Sequence, residues 1–257
     1  MDLWKTHLQV VTGLESKPKS NFSEFLKRRS HVSIVFFSHC AQLLAKSEEG
    51  DNWSDILRFS FLPDEISSGQ KERLTSLLEA FNPEFNTCSI GVATQKSALI
   101  PRGLFQEELK NDYLVKNTGL NAQGIGLVRS NYLAELNSNI VFSVPAGLHN
   151  LLQSIGLPAN YHHSLEALLP ALLENPKSKS TLAINFCGSY FDLLVLDAGS
   201  VKFVNSFNAI SSEDILYYIL YVVEKLGKSI RDFNIELYGE FPDMLDKELL
   251  VNHLQQL

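Results

Sequence analysis

Cysteine is scarce in this sequence, basic residues form no long block, and long apolar runs are missing. The three cysteines, Cys40, Cys88 and Cys187, lie far apart and form no CxxC pair, which argues against a zinc site and a disulfide framework. Because no stretch approaches the roughly 18 apolar residues of a transmembrane helix, no membrane span is expected. The net charge of −7 argues against nucleic acid as a partner.

The chain is long and apolar enough to form one large domain or two smaller ones. It has 257 residues, of which 45% are hydrophobic, so each of two domains could bury its own core. Its first residues are followed by charged and polar side chains and lack the apolar segment of a signal peptide. Together with the scarce cysteines, this start favours a reducing compartment, and we expect a cytoplasmic protein.

The first half of the chain predicts the element order βββαβα. Three apolar runs at hairpin spacing indicate an antiparallel meander, and the first run is apolar enough for a central strand. Pro101 stands where the first turn of a second helix would begin. The predicted elements are strands at 31–37, 41–45 and 56–61, a helix around 74–81, a strand at 85–93 and a helix over 101–111.

The second half repeats this order after an intervening region. Residues 112–135 are rich in Asn, Gly and Ser and predict an irregular insertion with one strand at 125–128. A strand at 139–144, helices over 146–155 and 164–174 and a linker at 176–180 follow. The remaining predicted elements are strands at 181–185, 191–197 and 201–207, a helix over 211–226, a strand at 233–238 and a helix over 243–256.

The helix over 211–226 has the most complete pattern in the chain. Ser211 with Asp214 three residues later resembles a capping box, and Gly227 stands where the C′ glycine of a helix belongs. Tyrosines also extend its apolar face, which indicates either burial within the chain or an interface with a partner. These tyrosines are Tyr217, Tyr218 and Tyr221.

Two βββαβα halves in tandem resemble the actin-like (ribonuclease H-like) fold of actin, sugar kinases, Hsp70 chaperones and bacterial proteins of cell division and type IV pilus assembly. The stretch from Thr181 to Gly227 is similar to the second lobe of the last two groups, since it has their strand, small-residue turn, strand, glycine hairpin, strand and capped helix. Taken whole, the chain resembles an uncharacterised family found in Bacteroidetes. The resemblance implies an α/β fold with duplicated lobes, at 1–176 and 177–257, and a cleft between them.

Members of the actin-like group that hydrolyse ATP place an Asp and a glycine-rich hairpin in each lobe, where they hold the phosphates and Mg²⁺. This sequence departs from that pattern twice. The first-lobe turn at 36–40 has neither an Asp nor a Gly. In the second lobe Asn185 stands where the Asp would be, Gly188 is displaced by one position, and Gly239 is followed by Glu240 where a second glycine is usual.

The resemblance therefore implies a degenerate nucleotide site at Asn185, Gly188, Ser189 and Gly239, with no catalytic residue and no metal ligand. Two functions remain open. One is a non-catalytic actin-like scaffold or adaptor that binds a protein partner and needs no cofactor. The other is a divergent ATPase or kinase that uses ATP and Mg²⁺ through relocated acids. The sequence leaves the oligomeric state open.

Three other groups of residues suggest chemistry, and each has a simpler interpretation. Asp192 and Asp197 have odd spacing on one strand, which predicts surface or turn carboxylates on opposite faces. The adjacent pair His162-His163 predicts a loop or a helix N-terminus rather than a metal site. Cys40, despite its neighbour His39, is predicted to be a small core residue.

Overall fold

The structure is a computed structural model that describes residues 30–47, 53–82, 84, 86–119, 121, 125–157, 160–174, 180–240, 250, 252 and 254. The chain divides into two compact units between Ala167 and Leu168. The predicted linker, apart from Ser180, and most of the predicted C-terminal helix lie outside the described residues. No helix within the described residues is both long and apolar enough to cross a membrane.

The first unit is a mixed α/β structure with two sheets. Its helices α1 to α3 lie between strands, and α4 continues past the division between the units. In chain order the elements are β1 (Ser30–Phe36), β2 (Cys40–Ser47), β3 (Trp53–Ser60), α1 (Ser68–Leu77), β4 (Asn86–Val92), β5 (Ser97–Pro101), α2 (Lys110–Thr118), β6 (Leu127–Leu133), β7 (Ser138–Val144), α3 (Ala146–Ser154), β8 (Tyr161–His163) and α4 (Ser164–Glu174).

The main sheet of the first unit has the strand order β3-β2-β1-β4-β8. The first three strands form the predicted antiparallel meander, and β1 also pairs in parallel with β4. The predicted central position of β1 is confirmed, because this strand has two neighbours on each side and is buried along most of its length. A fifth strand, β8, pairs in parallel with β4.

The prediction for residues 101–135 was wrong in two places. Residues 97–101 are the strand β5, whose burial alternates with period two, and the helix begins only at Lys110. Pro101 has an extended ψ of 137° and lies on an edge strand, where its missing N–H leaves no gap in the ladder. The region is also not irregular, since α2 packs on the three-stranded sheet β5-β7-β6.

The second unit repeats the central topology of the first. Its described elements are β9 (Ser180–Cys187), β10 (Tyr190–Asp197), β11 (Ser200–Asn208), α5 (Ser212–Lys225) and β12 (Phe233–Glu240). The strand order is β11-β10-β9-β12, with β9 antiparallel to β10 and parallel to β12, as β1 is to β2 and β4. The predicted duplication of the first three strands, the helix and the next strand is therefore present.

Local signals set the limits of α5 as the sequence predicts. Ser211 accepts a hydrogen bond from the backbone N–H of Asp214, whose carboxylate accepts one from the backbone N–H of Ser211, so the capping box is complete. Gly227 has a positive φ of 67°, as a C′ glycine should. The buried face of α5 packs on β9 and β10 with a core that includes Leu182, Ile184, Phe186, Phe191, Leu193, Ile215, Ile219 and Val222.

A polar cluster ties the start of β9 to the end of β10 and to the residue after the C′ glycine of α5. Lys228 Nζ donates to Asp197 Oδ2 and to Ser180 Oγ, both at 2.9 Å, and Ser180 Oγ donates to Asp197 Oδ1 at 2.8 Å. The hydrogen bond from Lys228, followed by that from Ser180, holds the pKa of Asp197 below its ordinary value of 3.8. The cluster is partly exposed.

Replacing Asp197 by Asn should flatten the loss of stability in acid. An acid with a lowered folded-state pKa contributes stability above its ordinary pKa and loses that contribution as the pH falls through the folded value. Thermal unfolding between about pH 6 and pH 2 should therefore show a shallower decline below about pH 4 for Asp197→Asn than for the wild type. Lys228→Met removes the hydrogen bond that contributes most to the lowered pKa of Asp197, so it should make the decline of stability with falling pH similarly shallow. Equal slopes in all three proteins would contradict this account.

Candidate functional site

The four predicted nucleotide-site residues lie at one end of the second unit's sheet. Asn185 is near the C-terminal end of β9, and Gly188 and Ser189 form the two-residue turn into β10. Gly239 pairs with Phe186 at the end of β12. Because β9 and β12 are parallel, their carboxyl ends meet at the same edge, which is where α/β sheets usually carry ligand sites.

Asn185 is fully buried and is held by its amide nitrogen. Its Nδ2 donates to Asp192 Oδ2 at 3.0 Å and contacts Cys187 Sγ at 3.3 Å. Its Oδ1 has no hydrogen-bond partner, and a Cβ on Gly239 would lie 2.6 Å from it. The amide nitrogen of Asn185 therefore faces β10 and has hydrogen-bond partners, while its amide oxygen faces β12 and has none.

Asp192 corrects one prediction and adds a residue to the site. It was expected to be a surface or turn carboxylate, but it is fully buried. Ser206 Oγ donates to its Oδ1 at 2.6 Å, while Oδ2 accepts from Asn185. Both oxygens thus accept from neutral donors, which is how a carboxylate is accommodated in an interior. Asp197 is partly exposed, as predicted.

The row Asn185–Asp192–Ser206 follows directly from strand register. A two-residue turn at Gly188-Ser189 places Asn185 opposite Asp192, and the β10–β11 pairing places Ser206 opposite Asp192. Residues opposite one another on neighbouring strands share a face and contact each other. Counting back from the turn would have found the Asn185–Asp192 pair in the sequence alone.

Two further side chains complete this buried cluster. The Tyr190 hydroxyl is buried beside Cys187, and Cys187 Sγ lies 3.7 Å from Asp192 Oδ2. Burial, with smaller effects from Cys187 and Asp192, raises the pKa of Tyr190 well above its ordinary value, so the phenol stays protonated. An unsatisfied buried atom such as Asn185 Oδ1 destabilises the fold by about 1–3 kcal/mol.

The first unit has an equivalent turn with different chemistry. Its β1–β2 turn also has two residues, and the N–H of Phe37 donates to the carbonyl of Cys40 at 2.8 Å. The same count from the turn places Val35 opposite Gln42, where the second unit has Asn185 opposite Asp192. The first unit therefore has an apolar side chain at the position of Asn185.

These donors do not fit a magnesium-bound phosphate. Mg²⁺ binds carboxylates and water in near-octahedral geometry, whereas the two matching positions hold Val35 and Asn185. Asp192 is the acid of the row Asn185–Asp192–Ser206, and neighbouring side chains donate hydrogen bonds to both of its carboxylate oxygens. Among the described residues there is also no group of three or more His, Cys, Asp or Glu that could hold a metal ion.

The candidate pair His162-His163 and a further histidine, His31, have structural contacts. His162 and His163 form β8 immediately before α4, and the Glu166 carboxylate accepts from the backbone N–H of His163 at 2.8 Å and contacts His162 Nδ1 at 2.9 Å. His31 contacts Ser89 Oγ at 2.9 Å through Nε2, and burial is the main cause that lowers its pKa. Cys40 is buried, as predicted for a core residue.

Comparison with known sequences identifies the family. Residues 70–257 match the family described as protein of unknown function DUF3822. The chain belongs to this family. No curated protein matches its sequence.

Comparison with solved structures confirms the fold. A protein of Bacteroides thetaiotaomicron with an actin-like ATPase fold and unknown function superposes with a TM-score of 0.74 at 19% identity, covering 92% of this chain and 90% of that one. The predicted actin-like class is therefore correct for this DUF3822 member. Weaker similarities are to the PilM–PilN type IV pilus biogenesis complex (TM-score 0.46, 13% identity, 76% and 66% covered) and to ADP-bound MreB5 of Spiroplasma citri (0.32, 12%, 76% and 58%).

Restoring the acid at position 185 should destabilise the protein. Asn185→Asp would place a second carboxyl group about 3 Å from that of Asp192 in a buried site, and two such groups cannot both ionise there. We expect a loss of about 3 kcal/mol or more at pH 7 that shrinks as the pH is lowered, measured by urea unfolding. The exposed control Asn205→Asp should change stability by less than about 0.5 kcal/mol; similar losses in both variants would contradict the buried pair.

Gly239 should tolerate no side chain. It has a φ of +74°, and a Cβ there would lie 2.2 Å from the backbone oxygen of Phe186. Gly199 has nearly the same φ, +73°, but open space around it, so Gly199→Ala isolates the backbone effect of about 1 kcal/mol. Gly239→Ala should be less stable than Gly199→Ala by about 1–3 kcal/mol, measured by thermal unfolding, because backbone must also move. Equal losses would show that the space beside Phe186 is not tight.

Proposed function

We propose that this DUF3822 protein is a non-catalytic actin-like scaffold or adaptor that binds a protein partner. The observation that carries the proposal is the buried pair of Asn185 and Asp192. At the turn where active relatives of the fold place a carboxylate toward Mg²⁺, this chain has a neutral amide that donates to a second side chain. The donor set of the turn supports packing within the sheet rather than phosphoryl transfer.

The hydrogen bonds within the row Asn185–Asp192–Ser206 explain why it is unfavourable for Asp192 to bind a metal ion in place of an acid at position 185. If Asp192 turned toward a metal ion, Ser206 Oγ would lose this acceptor and the buried Asn185 Nδ2 would keep only Cys187 Sγ, a weak acceptor. A buried donor without an acceptor is destabilising by about 1–3 kcal/mol. The first unit adds no compensating acid, since Val35 occupies the matching strand position. Both units therefore favour a scaffold over an ATPase.

One observation favours the alternative of a divergent ATPase or kinase. Asp192 is a fully buried carboxylate close to the Gly188-Ser189 turn, and buried acids are often functional. In that alternative Asp192 would be the relocated acid, with ATP and Mg²⁺ as cofactors. Binding of nucleotide separates the two functions.

Millimolar Mg-ATP should leave the melting temperature unchanged. A ligand that binds only the native state raises stability by RT ln(1 + [L]/Kd), so 100-fold saturation would contribute roughly 2.7 kcal/mol and raise the melting temperature by several degrees. With Val35 and Asn185 at the two turns, we expect no shift in differential scanning fluorimetry. An upward shift that EDTA removes and Asp192→Asn abolishes would overturn the scaffold proposal and support the alternative.

A further inference from the structure

Helix α5 has two apolar faces, and only one of them is buried. Its inner face packs on the sheet through residues such as Ile215 and Ile219. Three large side chains on its outer side, and one just before its N-cap, are exposed to solvent. Their exposed fractions are 83% for Ile210, just before the N-cap, 61% for Tyr217, 38% for Leu220 and 46% for Tyr221. A helix that is apolar on both sides usually has a partner on each.

The sequence left open whether the three tyrosines of α5 are buried within the chain or form an interface, and the structure has one tyrosine in the first setting and two exposed. Tyr218 is half-buried and stacks on Phe207, with ring centroids 4.5 Å apart. Tyr217 contacts the Tyr218 ring edge-on at 5.3 Å and stacks on Tyr221 at 6.1 Å. The exposed rings are therefore held by rings that reach the core. Rings held in this way lose little conformational freedom when a partner binds.

The charges beside these rings indicate what kind of partner fits. Glu213 and Glu224 are exposed on the same side of α5, about 16 Å apart along the axis at 1.5 Å per residue. Neither forms a salt bridge within the described residues. Lys225 Nζ lies 5.4 Å from the centroid of the Tyr221 ring, which shows a cation against this aromatic surface within the chain itself.

We propose that the outer face of α5 binds a basic amphipathic segment of a partner protein. Arginine or lysine side chains of the segment stack on Tyr217 and pair with Glu213 and Glu224. Its apolar side chains cover Leu220 and the edge of Tyr221, whose ring already contacts Tyr217 and Lys225. Charge complementarity favours this occupant over an acidic one, because the protein carries a net charge of −7 and because Glu213 and Glu224 lie on either side of the exposed tyrosines. The inference rests on the proposed function and names the class of partner.

Selection of a random peptide library on the immobilised full-length protein tests this proposal. Enriched peptides should combine Lys or Arg with apolar residues, and dye-labelled copies should bind the wild type in fluorescence anisotropy. Tyr217→Ser with Tyr221→Ser, and separately Glu213→Gln with Glu224→Gln, should weaken binding at least about tenfold, as expected when interface anchors are removed. The matched control Glu72→Gln with Glu79→Gln makes the same charge change on exposed residues in and just after α1 and should leave the affinity unchanged.

Each other outcome overturns the proposal. Enrichment of acidic or uncharged peptides, no enrichment, or equal weakening by the α1 control would show that α5 does not recognise a basic segment. Self-association in analytical ultracentrifugation that Tyr217→Ser with Tyr221→Ser abolishes would assign the face to a second copy of the chain. A protein partner that binds all variants equally would leave the scaffold function intact and remove only α5 as its docking surface.

Discussion

The double pairing of β9 is the constraint on which the second unit depends. This strand is hydrogen-bonded to an antiparallel neighbour on one side and a parallel neighbour on the other, and it is buried along nearly its whole length. A slip of one residue would move Ile184 off the face that packs on α5 and place Asn185 on that apolar face instead. The tight turn at Gly188-Ser189 fixes the register from one side, and the close approach of Gly239 to Phe186 fixes it from the other.

With that register fixed, the polar row becomes a single unit. The amide of Asn185 and the hydroxyl of Ser206 donate the hydrogen bonds that the buried Asp192 carboxylate needs, and Asp192 is the acceptor that these two donors need. No member can change its chemistry without leaving another unsatisfied. The strands and the turn of this actin-like fold thus accommodate a row of buried side chains that bond to one another.

The sequence predicts the parts of this structure that depend on local patterns. The apolar run of β1, the capping box at Ser211 and the glycine at 227 each determine their own neighbourhood, and the structure agrees with all three. The errors arise where local rules conflict or distant residues decide. Pro101 suits a helix start and the end of an edge strand equally well, and period two in β5 decides between them. The burial of Asp192 depends on Asn185 and Ser206, which lie on two other strands.

The sheet inserted between β4 and α3 has a consequence for the order in which the chain assembles. In the first unit Ile90 can pair with Tyr161 only after β5, α2, β6, β7 and α3 have been synthesised. In the second unit the described sheet needs only the βββαβ segment from β9 to β12. Pairing between residues distant in sequence slows folding because loop closure precedes the gain from contacts. The described sheet of the second unit therefore closes over a shorter stretch of chain, and the edge of β4 that pairs with β8 stays open until β8 has been synthesised.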